Sequence, residues 1–80
     1  MKLVLVKQGR TTALYRTEDG QYEIVGVDLH CTGPAARAAG AGPVWWWLVT
    51  NAKAKSHAFP SRARCVADLK AHLVAAKRSN

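Results

Sequence analysis

"VWWWLVTNAKAKSHAF", residues 44–59, holds all three tryptophans of this 80-residue chain in one unbroken run. Successive side chains of a strand point to opposite faces. As a strand, the run sends Trp46 to one face and Trp45 and Trp47 to the other. Val44, Trp46, Leu48 and Thr50 form the longer and more aliphatic set, which suits packing against a helix. This reading puts Trp46 inward and leaves Trp45 and Trp47 on an accessible working face. "NAKAK" (51–55) then reads as a polar turn and "SHAF" (56–59) as a short returning strand.

Upstream, "LVLVK" (3–7) is rich in strand formers and stops at Gln8-Gly9. "TALYR" (12–16) and "QYEIVGVDL" (21–29) flank "TEDG" (17–20). Asp19 can bond its own backbone and Gly20 accepts positive φ, so the two runs read as a β-hairpin. In the second arm Tyr22 and Ile24 share one face, whereas Val25, Val27 and Leu29 share the other. Gly26 sits just after that change of phase and predicts a bulge. "CTGPAARAAGAGP" (31–43) is fenced by Pro34 and Pro43 and reads as a surface loop with Arg37 at its tip. Folded back, that loop would cover a tryptophan face.

Downstream, Pro60 cannot sit inside a helix, while Ser61 can cap one. "RARCVADLKAHLVAAKR" (62–78) lacks Gly and Pro, and Val66, Leu69, Leu73 and Ala76 follow the spacing of one buried stripe. Asp68 is placed to pair with His72 at i, i+4. The expected architecture is α+β: a single domain over 1–80, with a small antiparallel sheet of four or five strands and one C-terminal helix (61–78) packed on one face.

Net charge is +7, and its distribution is uneven. Residues 1–29 balance acids against bases, while residues 30–80 carry the whole excess and a single acid, Asp68. That asymmetry points to a polyanionic partner. The leading expectation is a small non-enzymatic protein binding nucleic acid, DNA or RNA. Trp45 and Trp47 would stack on bases, and Arg37, Lys53, Lys55, Arg62 and Arg64 would meet phosphates. The second reading is a protein-interaction module docking an acidic protein surface or forming a homodimer, because Trp and Arg are the residues most enriched in binding hot spots. The two differ in one respect: a nucleic-acid face concentrates cations, whereas a protein face rings an apolar centre with mixed charge.

Other chemistry finds little support. Cys65 and His72 lie seven residues apart, about 10 Å along a helix, too far for direct activation of the thiol. His30 and Cys31 are adjacent, and His57, Cys65 and His72 follow, but no short paired spacing of a zinc site occurs. Neither a cofactor nor a metal is expected. Two cysteines are too few for a disulfide scaffold and read as free thiols in a reducing compartment. The apolar run at residues 3–6 is short for a signal sequence, and no stretch reaches membrane-spanning length, so the expected location is the cytoplasm, away from membranes.

Overall fold

A computed structural model describes residues 1–78. Four strands, β1 (Leu3–Gln8), β2 (Ala13–Thr17), β3 (Tyr22–Val27) and β4 (Val44–Val49), form an antiparallel sheet in the order β1-β2-β3-β4. A helix of 17 residues, α2 (Arg62–Arg78), packs on β3 and β4. A small α+β fold with a C-terminal helix on its sheet is therefore the architecture. The returning segment after β4 makes only isolated bridges, Leu48 with Lys55 and Trp45 with Phe59, and adds no fifth strand.

The β2–β3 turn is built by the side chains that the sequence places there. Thr17 Oγ1 donates to Asp19 Oδ1 at 2.6 Å, and the Asp19 carboxylate accepts from the Gln21 backbone N–H at 3.0 Å. Those two bonds hold the Asp19 carboxyl below its ordinary range. Gly20 takes φ 77°, the left-handed region that glycine enters without strain. Ser61 caps α2 as expected: its Oγ accepts from the Arg64 N–H and its carbonyl from the Cys65 N–H, both at 3.2 Å.

The helix-covered face of the sheet is set by register. Ala13, Gly26 and Trp45 lie in one cross-strand row, and Tyr15, Ile24 and Trp47 lie in the next. Ala13, Ile24, Trp45, Trp47, Cys65 and Leu69 form the buried core, so Trp45 and Trp47 point inward and Trp46 points away. The inward assignment of Trp46 is thus reversed. The cause is a vacancy opposite Trp45. A Cβ on Gly26 would sit 2.7 Å from the Trp45 ring, so the glycine provides the space that the indole occupies. No bulge occurs at Gly26; the register shift of this sheet lies between Leu5 and Lys7, against β2.

Two further expectations change. The buried stripe of α2 is Cys65 and Leu69, flanked by Val66 and Leu73, while Ala76 is exposed. The loop 31–43 contains a short helix, α1 (Pro34–Ala38), with no buried residue. Among the described residues α1 packs on neither the sheet nor α2, so this helix does not cover a tryptophan face.

Gly26→Ala should destabilise the protein by about 1–3 kcal/mol, because the new methyl collides with the Trp45 ring. Leu69→Ala should cost about 2–5 kcal/mol by opening a core cavity. Ala76→Ser, at an exposed position, should stay within ~0.5 kcal/mol of the parent. Urea denaturation of the three variants checks the assignment of the helix stripe and the glycine vacancy together.

Candidate interaction face

Two tryptophans are held under the helix by polar partners as well as by packing. The Trp47 indole Nε1–H donates to Asp68 Oδ2 on α2 at 2.8 Å. The Trp47 ring lies 4.7 Å from His72 and 6.0 Å from Tyr22, centroid to centroid. Ser56 serves the Trp47 backbone twice: its Oγ accepts the Trp47 N–H at 3.0 Å and its own N–H donates to the Trp47 carbonyl at 2.8 Å. Trp45 exchanges both backbone bonds with Phe59, at 2.8 and 2.7 Å, and its ring neighbours Tyr15 at 6.3 Å.

Asp68, expected to pair with His72, is instead the acceptor that makes burial of the Trp47 N–H tolerable. Its carboxylate also adds to the upward shift of the buried Cys65 thiol, which desolvation drives to about 11.

Of the cationic residues singled out in the sequence, Lys55 lines a surface cavity together with Trp47, Asp68 and His72, and the others are spread over α1, the turn after β4 and the start of α2. Arg62 lies 5.0 Å over the Tyr15 ring and donates to its hydroxyl at 2.8 Å, so it braces the start of α2 against the sheet. Lys55 stands opposite Leu48 at the far edge of β4. Arg37 is exposed in the last turn of α1. Lys53 and Arg64 are exposed, in the turn after β4 and in the first turn of α2. With Trp45 and Trp47 each only 8% exposed, neither offers a ring face to a base.

The accessible face of the sheet is the other one, and among the described residues no helix or strand packs on it. Register sorts its side chains into cross-strand rows. Lys7, Leu14, Val25 and Trp46 form one row; Val4, Arg16, Glu23, Leu48 and Lys55 form the next; Val27 and Val44 sit above. Within the second row Arg16 and Glu23 are paired, Nη2 to Oε2 at 2.9 Å. The face is thus an apolar field with one ion pair inside it and lysines at two margins. The sequence signal for it was present in the alternation of β2 and β3, where Leu14, Val25 and Val27 fall on the side opposite Ile24.

No protein-family model matches this chain, and no curated protein or solved structure matches it.

Asp68→Ala should destabilise the protein by about 1–3 kcal/mol, since it strands the Trp47 N–H without an acceptor. Asp68→Asn, which keeps an amide oxygen, should recover most of that loss. Thermal melting of the two variants against the parent checks the pair. Thiol labelling provides a second test. In native protein at neutral pH only Cys31 should react, because Cys65 is buried and its thiol ionises only near 11. In denaturant both cysteines should react.

Proposed function

We propose that this chain is a non-enzymatic protein-interaction module that pairs with a second copy of itself through the open face of its sheet. The observation that carries the reading is the composition of that face. Leu14, Val25, Trp46 and Leu48 lie on it, and no element of the chain covers it among the described residues. Contiguous apolar surface of this kind marks interaction sites in soluble proteins.

One feature favours a second copy as the occupant. Arg16 and Glu23 stand side by side in the middle of the face. A two-fold axis through them sets each guanidinium against the other copy's carboxylate, the self-complementarity an isologous interface requires. Four strands of five or six residues present roughly 300 Å² in plan, about 600 Å² over the two copies, which makes the pairing a weak, transient one with a Kd in the high micromolar range or above. The charge of +7 on each copy repels at long range but is screened beyond about 8 Å at physiological salt. Pairing should therefore strengthen as salt is added, opposite in sign to the binding of a polyanion, which weakens with salt.

That opposition separates this reading from nucleic-acid binding, which has lost its two stacking residues to the core. Sedimentation equilibrium up to about 500 µM, where a pairing of high-micromolar Kd is populated, is the test. A dimer that grows with salt, and that Val25→Glu reduces to a folded monomer by circular dichroism, is the expected result. A wild-type monomer across the range, or a Val25→Glu variant that still dimerises equally, overturns it. Tight, steeply salt-weakened binding of duplex DNA by a wild-type monomer would move the function to nucleic acid.

A further inference from the structure

The chain leaves β3 through a turn that gathers three metal-ligating side chains. Asp28, His30 and Cys31 each bring one donor atom to within 4.8 Å of the other two. The Cys31 Sγ lies 3.4 Å from the His30 Nε2. Neither the proposed dimer face nor the core uses these groups.

The turn is held from inside. Asp28 takes φ 54°, a left-handed conformation that aspartate enters more readily than most residues. The Cys31 N–H donates to the Asp28 carbonyl at 3.0 Å and closes the turn. Between them Leu29 packs against the core, and its N–H donates to the Thr11 carbonyl at 2.9 Å. Fixing Leu29 inward leaves Asp28 and His30 exposed and Cys31 half-buried, on one side of the turn. The ligands are thus carried by an anchored backbone.

We infer that Asp28, His30 and Cys31 form a binding site for zinc or a similarly borderline-soft divalent cation. Thiolate, imidazole and carboxylate are the three ligand types zinc accepts, at about 2.3, 2.0–2.1 and 2.0–2.2 Å. Tetrahedral geometry with those lengths sets sulfur and nitrogen about 3.5 Å apart, close to the separation already present between Cys31 and His30. An Asp28 carboxylate oxygen already lies within 4.8 Å of both of these donors. Three protein ligands leave one tetrahedral position for water. Binding releases the thiol proton, because the ligand is the thiolate.

Cobalt(II), the spectroscopic stand-in for zinc, tests the site on the full chain under reducing conditions. The expected result is a sulfur-to-cobalt charge-transfer band saturating at one equivalent and erased by added zinc. Cys31→Ser should abolish the band. His30→Ala and Asp28→Asn should each weaken cobalt binding by ~10-fold or more, the scale on which changes around a metal site register. Cys65→Ala should leave the band unchanged, since that thiol is in the core. Circular dichroism confirms that each variant remains folded. A wild-type protein without the band, a band that survives Cys31→Ser, or binding indifferent to both His30→Ala and Asp28→Asn overturns the assignment.

Discussion

The hydrogen bond from the Trp47 indole to Asp68 is the contact on which the arrangement of this small protein depends. An indole carries a large apolar ring and one obligatory donor, and it enters a core only where that donor is met. Asp68, the residue before Leu69 on α2, meets it at 2.8 Å. Once Trp47 is committed to the helix side, strand alternation commits Trp45 with it and turns Trp46 outward. Two buried indoles remove roughly 300–500 Å² of surface, worth about 8–12 kcal/mol as an upper bound. In a chain this short, that is the dominant apolar contribution. The other face of the sheet takes its character from what remains.

The covered side is completed by a residue that has no side chain. Trp45 lies over Gly26 because the sheet is open there, and Ala13, the next residue in the row, is also small. A row reading small, absent and very large fills the space beneath α2 without widening it. At the other end of the helix interface, Tyr22, Trp47 and His72 form a tilted and edge-on aromatic cluster. Arg62 over Tyr15 secures the helix start.

Much of this was legible in the sequence, and the part that was not has a physical explanation. Alternation and turn chemistry located the hairpin around Asp19-Gly20, and the absence of Gly and Pro located α2, capped by Ser61. The tryptophan faces were hidden because apolar length along the one strand favours Trp46 as the inward residue. The deciding partners were on other elements: a glycine on β3 and an acid on α2. Both carried local interpretations, a bulge for Gly26 and an i, i+4 pairing for Asp68, that masked their long-range roles. The lone acid in a basic half of the chain was the available clue. The Asp28–His30–Cys31 cluster was hidden for a different reason. His30 and Cys31 stood out as neighbours, but Asp28 joins them only because the chain turns sharply after β3, which no spacing rule encodes.

The outer strand β1 leaves Val4, Leu5 and Val6 between 44 and 48% exposed, since α2 reaches only β3 and β4. A free strand with an apolar sequence is a template on which further chains can add, ladder upon ladder, without limit. The register shift between Leu5 and Lys7 interrupts that ladder at mid-strand, and Lys2 and Lys7 set a positive charge at either end of it. Edge-to-edge addition is thereby blunted while the flat face stays free. Under the proposed pairing, assembly through the flat face closes at two copies, and the irregularity in β1 does at the edge what a fifth strand would otherwise have had to do by covering it.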